Sequence, residues 1–312
     1  MSKPVVYIDG KEGTTGLQIY DRLAGRQDIE LLLIDEDKRK DPTERKKLMD
    51  ESDLVFLCLP DAAAVEAVEL VGNPATRIID ASTAHRTMDG WVYGFPELSG
   101  QQREVIKSAK RVANPGCHAT GFISVVYPLV KLGLLPTDAA VSCFSLTGYS
   151  GGGKKMIASY EAADRGDELS SPCPYALTQG HKHLPEMRKI CGLEKMPVFV
   201  PIVDDYYKGM ATTVPLHMEQ LRGVSALREV WQKLNDYYAG QALVTVSPLD
   251  GCAKLYANGK MDSDSLSLIV AGNDGQFTIT ALFDNLGKGA SGAAVQNMNL
   301  MLGFGETAGL NI

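Results

Sequence analysis

Apolar residues come in short continuous runs along the first third of the chain, and segments of helical length separate them. The runs are residues 5–8, 31–34, 54–59 and 78–79. Continuous rather than alternating apolar runs are typical of parallel strands buried on both faces. Right-handed crossovers would wind such strands and their helices into a doubly wound sheet. We therefore predict a Rossmann-type α/β domain over residues 1–116.

The pattern changes beyond about residue 135, where strand-like segments follow one another more closely. They are residues 140–146, 198–203, 211–217, 266–270 and 277–283. This spacing is typical of an α+β domain, which we place at residues 117–285. A final segment, 289–302, has helical spacing and small residues on one face. We expect the C-terminal helix, within residues 286–312, to return to the first domain.

Composition and charge exclude several classes of protein. The chain has 312 residues, of which 45% are hydrophobic and 22% charged, and no apolar run approaches the roughly 20 residues that span a membrane. The formal net charge of -7 argues against a nucleic-acid partner. The six cysteines show no CxxC spacing, and the N-terminus lacks the pattern of a signal peptide. We expect a cytoplasmic protein with reduced cysteines and no membrane contact.

A glycine-rich run, DGKEGTTG, follows the first predicted strand. Gly10, Gly13 and Gly16 have the spacing GxxGxxG rather than GxGxxG, and Thr14 and Thr15 lead into a predicted helix at 16–26. Glycines at such a turn let backbone amides approach a pyrophosphate, which the helix N-terminus stabilises. An ordinary glycine-rich turn has the same spacing, so the surrounding βαβ pattern is what favours a dinucleotide site.

The second predicted strand ends near Asp35, which could bind the ribose 2′-hydroxyl of NAD. Lys38, Arg39 and Lys40 follow within reach of a 2′-phosphate, and Arg39 is our candidate for binding the phosphate of NADP. A charged loop exposed to solvent is the alternative. The residues alone leave the choice between NAD and NADP open.

Cys117 follows Asn114-Pro115-Gly116 and precedes an apolar helical run at 122–132. A cysteine just before a helix feels the positive end of the helix dipole, which favours the thiolate. The Pro-Gly pair would turn the chain sharply enough to expose the sulfur. We predict that Cys117 is a nucleophile. The other cysteines are expected to be small buried residues: Cys58, Cys143, Cys173, Cys191 and Cys252.

A nucleophilic cysteine needs a partner for proton transfer, and His181 and His183 lie together in the run GHKHLPE. Imidazole, with an unperturbed pKa of about 6.5, acts as acid or base near neutrality. A metal site is the competing interpretation, but HxH supplies only two ligands, and we expect no metal. His85, His118 and His217 are expected to be structural or exposed.

Two further segments carry groups that suit a phosphate. Ser82 and Arg86 lie in the run DASTAHR just past a strand end, where ligands bind in doubly wound sheets. A second glycine-rich stretch at 150–153 precedes Lys154 and could place amides and an ammonium near an anion. The alternatives are an exposed loop for the first segment and a hinge for the second.

Taken together, these motifs resemble a known family. The sequence resembles the N-acetyl-gamma-glutamyl-phosphate reductases of arginine biosynthesis and, in length, their shorter branch. The resemblance spans the chain and rests on five runs: GxxGTTG at 10–16, YGFPEL at 93–98, NPGC at 114–117, HKHLPE at 181–186 and DNLGKGASGAAVQN at 284–297.

The resemblance implies a Rossmann domain that carries NADP and an α+β catalytic domain of the glyceraldehyde-3-phosphate dehydrogenase type. The second domain would also form a homodimer or homotetramer. The substrate would be a small acyl phosphate, whose acyl group Cys117 takes as a thioester. A histidine of the HKH run, for which we favour His181, would serve as acid and base, and NADPH would reduce the thioester to an aldehyde.

The motifs and the resemblance together suggest binding residues. Beside the glycine loop, the residues expected to bind the cofactor are Ser82, Gly287, Gly289 and Asn297. Those expected to bind the substrate are Arg86, Asn114 and Lys154. The DASTAHR run departs from the DLSADFR-like sequence of the longer branch, which makes the assignment of Arg86 less direct.

Two alternative functions remain open from the sequence. An aspartate-semialdehyde dehydrogenase would use the same chemistry on a smaller substrate, although the HKHLPE run argues against it. A non-catalytic NADP-binding sensor would keep the fold without the chemistry, although Cys117 and the histidine pair are both present. Alkylation of the thiol in the presence and absence of substrate would separate the sensor from an enzyme.

Overall fold

The computed structural model describes residues 2–11 and 13–312. In these residues the strands are β1 Val5–Asp9, β2 Glu30–Leu32, β3 Leu54–Leu57, β4 Arg77–Asp80, β5 Val92–Tyr93, β6 Arg111–Ala113, β7 Ser142–Gly148, β8 Cys173–Pro174, β9 Val198–Asp204, β10 Met210–His217, β11 Val244–Val246, β12 Leu266–Gly272 and β13 Gln276–Phe283. The helices are α1 Thr14–Leu23, α2 Pro42–Asp50, α3 Asp61–Leu70, α4 Gly100–Ser108, α5 Cys117–Lys131, α6 Gly153–Glu161, α7 Leu184–Cys191, α8 Leu227–Tyr237 and α9 Gly292–Leu302.

The chain divides into two compact units. The first unit contains Met1–Pro115 and Ala290–Leu310, and the second contains Gly116–Gly289 and Asn311–Ile312. The sequence predicts the corresponding boundaries after residues 116 and 285, so they differ by one and four residues. Helix α9 belongs to the first unit, although it follows Gly116–Gly289 of the second unit in the chain.

The first unit is built on a parallel sheet with the strand order β2-β1-β3-β4-β6-β5 among the described residues. This confirms the predicted doubly wound sheet. The strand order reverses between β1 and β3, and ligands of such sheets bind at this point, outside the carboxyl ends of the strands. The glycine-rich run follows β1 there.

Alternate residues of the strands face opposite sides of this sheet, and helices cover both sides. Val6 and Ile8 of β1 pack in one cluster with α1, α4 and α9. Tyr7, between them, packs in a second cluster with α2 and α3. Burial on both faces explains why these strands have continuous apolar sequences.

The second unit is built on a mixed sheet with the order β11-β12-β13-β10-β7-β9-β8 in the part of the chain that is described. Helix α5 packs on one face of this sheet, where Gly121 allows close approach. A β carbon at Gly121 would lie 2.4 Å from Oγ1 of Thr212 in β10. The opposite face is partly open, and Phe144 of β7 and Val198 of β9 are exposed on the sheet. The predicted α+β class of this unit is confirmed.

Two predictions about elements and one about cysteines need correction. Helix α5 begins at Cys117, five positions before the predicted start, because Gly116 supplies the extended N-cap. Strand β2 ends at Leu32 because Asp35 already caps a 3-10 turn. Cys173 is exposed on the short strand β8, and Cys58 and Cys252 are only partly buried, so these three are not the enclosed residues predicted.

Within residues 2–11 and 13–312, none of the helices is both long and apolar enough to cross a membrane. The same residues contain no group of three or more His, Cys, Asp or Glu side chains that could hold a metal ion.

Candidate active site

Cys117 is the first residue of α5, and Gly116 precedes it with extended backbone. The amide of Gly116 donates a 2.8 Å hydrogen bond to Oε1 of Glu186, whose buried side chain belongs to the first turn of α7. Glu186 thereby fixes the turn that carries the sulfur, while Cys117 itself is only partly buried. Negative charge that develops near the start of α5 is stabilised by the helix dipole.

Gly289 lies so close to Cys117 that a side chain there would crowd it. A β carbon at Gly289 would lie 3.1 Å from the β carbon of Cys117 and 3.1 Å from the carbonyl oxygen of Asp284. A β carbon at Gly287 would lie only 2.4 Å from the carbonyl oxygen of Ser263. Gly287 and Gly289, predicted to bind cofactor, belong to the second unit, and Gly289 lies next to the predicted nucleophile.

Three histidine rings form a cluster in the second unit. The ring centroids of His181 and His183 are 4.7 Å apart, and the ring of His118 lies 5.6 Å and 5.7 Å from them. Phe199 contacts the rings of His118 and His181 at 5.2 Å each. His118 and His183 are buried, whereas His181 is partly accessible. The structure therefore brings the predicted pair together with a third histidine.

The hydrogen bonding of His181 defines its proton position. The backbone amide of His183 donates to Nδ1 of His181 at 3.1 Å. Because Nδ1 is the acceptor, neutral His181 carries its proton on Nε2. Burial, and to a smaller extent the charge of Lys182, lowers the pKa of His181 to about 4. His181 is therefore neutral near pH 7 and presents an N–H donor.

His118 is bonded at both ring nitrogens. Nδ1 lies 2.8 Å from Oγ of Ser145, and Nε2 lies 2.8 Å from the hydroxyl of Tyr175. The Ser145 hydroxyl lies 2.7 Å from Oγ1 of Thr212, which extends the chain of hydrogen bonds into the sheet. Burial, followed by the nearby His181, lowers the pKa of His118 to about 3. A neutral His118 therefore connects the start of α5 to Tyr175.

Sequence reasoning did not assign a role to Tyr175 or Glu186. Burial, and then the neighbouring Cys117 sulfur, raises the pKa of the Tyr175 phenol. Both residues lie close in sequence to the HKH run, but only folding brings them to the start of α5. The signal that the sequence offered for His118 was its position directly after Cys117.

In the first unit, the glycine-rich run makes a tight turn into α1. Gly10 has a φ of +85°, and a β carbon there would collide with the chain that follows β3. Gly13 caps α1 and donates from its amide to the carbonyl oxygen of Gly10 at 3.0 Å. A β carbon at Gly16 would lie 2.4 Å from that same oxygen. Thr14 and Thr15 are the first two residues of α1.

Glu12, within the same run, lies outside the described residues. Asp9, at the end of β1, is buried and forms an ion pair with Arg45 of α2, with Nη2 2.7 Å from Oδ2. Because burying an unpaired carboxylate is costly, Arg45 stabilises the base of this loop.

The basic residues proposed to bind a 2′-phosphate lie on an exposed turn after β2. Nη1 of Arg39 is 2.8 Å from Oε1 of Glu36, and Nζ of Lys38 is 3.4 Å from Oδ2 of Asp35. Exposed pairs of this kind contribute little and exchange partners easily. Arg39 is therefore able to turn toward a bound phosphate.

The DASTAHR run forms a buried turn after β4. Asp80 accepts hydrogen bonds from the amide and hydroxyl of Ser82 at 2.9 Å and 2.7 Å, and its Oδ2 lies 2.6 Å from Nδ1 of His85. The ring of His85 stacks on Trp91 at 4.0 Å. Arg86 is buried and donates to two backbone carbonyl oxygens. Ser82 and Arg86, predicted to bind cofactor and substrate, both contribute to the structure of this turn.

Asn114 and Asn297 meet in the first unit. Nδ2 of Asn297 donates to the carbonyl oxygen of Gly94 at 2.9 Å and to Oδ1 of Asn114 at 3.2 Å. Nδ2 of Asn114 donates to the carbonyl oxygen of Ala290 at 3.0 Å. Oδ1 of Asn297 is buried and accepts no hydrogen bond from the described residues.

Lys154 and His217 lie on the surface of the second unit. Lys154 is the second residue of α6 and is exposed. His217 is exposed at the end of β10, in agreement with its expected place.

Comparisons with known proteins agree along the chain. The family model "Semialdehyde dehydrogenase, NAD binding domain" matches residues 24–109. The model "Semialdehyde dehydrogenase, dimerisation domain" matches residues 117–285. The N-acetyl-gamma-glutamyl-phosphate reductase of Rhizobium meliloti is 48% identical over 96% of this chain and 99% of that protein. N-acetyl-gamma-glutamyl-phosphate reductase 2 of Nostoc sp. is 45% identical over 99% of this chain and 100% of that protein.

Solved structures share the fold at low sequence identity. Aspartate semialdehyde dehydrogenase II of Vibrio cholerae, in complex with ASA, superposes with a TM-score of 0.73 at 15% identity, covering 97% of this chain and 99% of that chain. The aspartate semialdehyde dehydrogenase of Candida albicans with NADP gives a TM-score of 0.68 at 15% identity, covering 96% and 99%.

Proposed function

The chain belongs to the N-acetyl-gamma-glutamyl-phosphate reductases, and we propose that it performs their reaction with Cys117 as the nucleophile. The reaction is the NADPH-dependent reduction of N-acetyl-L-glutamyl 5-phosphate to N-acetyl-L-glutamate 5-semialdehyde with release of phosphate, a step of arginine biosynthesis. Relatives with this name are 45% and 48% identical to the chain over nearly its whole length. The position of Cys117 at the start of α5, beside the histidine cluster, is the observation that supports the assignment of the nucleophile.

The residues of the first unit fit NADP. Glycines at the turn into α1 leave its N-terminal amides accessible to a pyrophosphate. The buried Oδ1 of Asn297, which lacks a donor among the described residues, suits the carboxamide N–H of a nicotinamide. Arg39 is the proposed contact to the 2′-phosphate, and Ser82 is proposed to line the site through its turn. When bound, NADPH supplies the hydride that reduces the acyl group.

The thiolate of Cys117 attacks the carbonyl carbon of the acyl phosphate, and the bond from that carbon to the phosphate oxygen breaks. Inorganic phosphate leaves with the electron pair, and a thioester remains on the sulfur. After reduction, the carbon–sulfur bond breaks, which releases the aldehyde and restores the thiolate. Backbone amides at the start of α5 stabilise the oxyanion formed in each step. A side chain at Gly289 would crowd Cys117, because a β carbon there would lie 3.1 Å from the β carbon of Cys117.

His181 acts as a hydrogen-bond donor in this proposal. The backbone amide of His183 already donates to Nδ1 of His181, so the N–H at Nε2 is the ring group that can donate to a substrate oxygen. Such a donor stabilises the oxyanion of each tetrahedral intermediate through a hydrogen bond, without transferring its proton. His183 is buried at the N-cap of α7, and its backbone amide holds His181 in place; its proposed contribution is to substrate affinity. Glu186 holds the turn before Cys117.

The substrate contacts are proposed from chemistry that fits an anion. Arg86 and Lys154 are cations suited to the phosphate or carboxylate of the substrate. Asn114, whose amide already binds Asn297 and Ala290, would reach the substrate through its remaining acceptor capacity.

The open sheet face of the second unit and the free cysteines support a proposal for the assembly and location of the enzyme. The second unit contains the region that matches the dimerisation domain. We propose that the open face of its sheet, with Phe144 and Val198 exposed, forms a homodimer or homotetramer. The first unit would be the NADP-binding domain and the second the catalytic domain. A reactive thiol among free cysteines suits the reducing cytoplasm.

The test is a coupled assay in the reverse direction, in which N-acetylglutamate semialdehyde reduces NADP⁺ only when phosphate is present. The proposal requires this activity to exceed that with aspartate semialdehyde. A preference for the aspartyl substrate would make the protein an aspartate-semialdehyde dehydrogenase. Absence of turnover, with Cys117 alkylated by iodoacetamide at the same rate with and without substrate, would indicate a sensor.

A further inference from the structure

The run YGFPEL at residues 93–98 has no part in the reaction described above, yet all six residues are buried. Glu97 within it is only 1% exposed, and a buried carboxylate is costly unless it is hydrogen bonded. Nε2 of Gln296 in α9 donates to Oε1 of Glu97 at 2.8 Å. This contact ties the run to the residue that precedes Asn297.

Gln296 is held on a second side as well. Its Nε2 also donates to Oε1 of Glu306 at 2.7 Å, and Arg103 of α4 pairs with the same carboxylate at 2.9 Å and 3.1 Å. The Gln296 amide is therefore fixed between two carboxylates. Since Gln296 is entirely buried, these contacts restrict the rotation of α9 about its axis.

Gly94 fixes the side chain of Asn297, the residue after Gln296. Its carbonyl oxygen accepts from Nδ2 of Asn297 at 2.9 Å, and a β carbon at Gly94 would lie only 2.5 Å from that nitrogen. Asn114 accepts from the same Nδ2. With both amide protons engaged, the Asn297 side chain has one orientation, and Oδ1 is the atom left without a donor in the described part of the chain.

We infer that Gly94 and Glu97 of the YGFPEL run are positioning residues for the nicotinamide end of the cofactor. Glu97 sets the rotation of α9 through Gln296, and Gly94 sets the orientation of the Asn297 amide. Together they aim Oδ1 at the carboxamide of the nicotinamide. This inference rests on the proposed function, because it needs NADP bound by the first unit.

The experiment compares two probes by isothermal titration calorimetry: NADP⁺, and 2′-phospho-ADP-ribose, which lacks the nicotinamide. Gly94→Ala should weaken NADP⁺ binding about tenfold, the effect of one misplaced hydrogen bond, and leave 2′-phospho-ADP-ribose unchanged. Glu97→Gln keeps the shape but makes the bond to Gln296 neutral, so it should give the same selective loss at about threefold. Gly100→Ala is the matched control, because a β carbon there meets no atom within 4 Å.

A merely structural role predicts a different pattern. If Gly94→Ala and Glu97→Gln weaken both probes equally, or weaken neither, the inference is wrong. Should Gly94→Ala fail to fold, Glu97→Gln decides alone. The proposed function fails separately, if the unaltered protein binds NADP⁺ no more tightly than NAD⁺ or lacks phosphate-dependent turnover.

Discussion

Cys117 combines two properties that suit the proposed covalent nucleophile: partial access and a place at the start of α5. We expect Cys117→Ser to bind NADPH normally and to lose at least about a thousandfold in turnover, because no arrangement activates a serine hydroxyl here. Steady-state assays measure the turnover, and a cofactor titration measures the binding of NADPH. Cys173→Ser, at an exposed cysteine, is the control and should keep full activity. Substantial turnover by Cys117→Ser would remove the covalent step.

Substitutions of His181 and His183 should affect different kinetic steps. His181→Asn should slow the chemical step by roughly 10²- to 10⁴-fold, whereas His183→Asn should act mainly on substrate affinity. Since the pKa of His181 is about 4, its titration should also give no loss of activity between pH 8 and 6. Single-turnover rates across pH test both points. The opposite ranking of the two variants would transfer the donor role to His183.

At the scale of single residues, the sequence predicts those whose chemistry is local. The turn and helix around Cys117 are visible in the sequence, and so are the two histidines of the HKH run. The contacts of Tyr175 and Ser145 with His118 could not be predicted, since they join three distant segments through one buried ring. Nor could the sequence reveal that Ser82 and Arg86 bond their own turn.

Among the secondary-structure elements, α4 and α9 share one residue at their C-terminal ends: Arg77 of β4 forms hydrogen bonds to both ends. Its guanidinium donates to the carbonyl oxygens of Ala109 at 2.9 Å and Lys107 at 2.7 Å, and also to that of Met301. The last carbonyl groups of a helix have no partner within it, so Arg77 supplies the missing donors.

Arg77→Met should therefore lower the free energy of unfolding of the first unit by about 1–3 kcal/mol, because it removes the donors to the last carbonyl groups of two helices, most of which are partly buried. Urea denaturation measures this change. Lys107→Met removes only an exposed pair with Glu104 and should cost less than about 0.5 kcal/mol. Equal effects of the two substitutions would mean that water replaces the guanidinium at both helix ends.

The sequence predicts long elements better than short ones, for a physical reason. Strands such as β1 and β13 bury enough apolar surface to leave a run in the sequence. Two- and three-residue strands such as β5 and β6 carry no period, and they form only because neighbouring strands offer free backbone groups. The start of α9 was also hidden, since a π-helix at Gly287–Ser291 precedes it.

At the scale of the whole molecule, the histidine cluster links stability to pH. The pKa is about 3 for His118 and about 4 for His181, against about 6.5 for either residue in an unfolded chain. Below pH 6.5 the unfolded chain therefore binds protons that the folded protein does not. Stability is complete above pH 6.5 and falls as the pH decreases toward 4 and then 3.

His118→Gln tests this linkage, because glutamine keeps a donor and an acceptor but does not titrate. At pH 7.5 it should destabilise the protein by about 1 kcal/mol through poorer hydrogen bonds to Ser145 and Tyr175. Between pH 7.5 and 5.0, however, its free energy of unfolding should fall by about 2 kcal/mol less than that of the unaltered protein. This difference is the share contributed by one histidine that stays neutral when folded.

Urea unfolding followed by the fluorescence of Trp231, in a Trp91→Phe background, measures the second unit alone, because these are the two tryptophans of the chain. Parallel pH curves for the two proteins would mean that His118 is protonated in the folded state, and that the neutral chain of hydrogen bonds from Thr212 to Tyr175 does not exist.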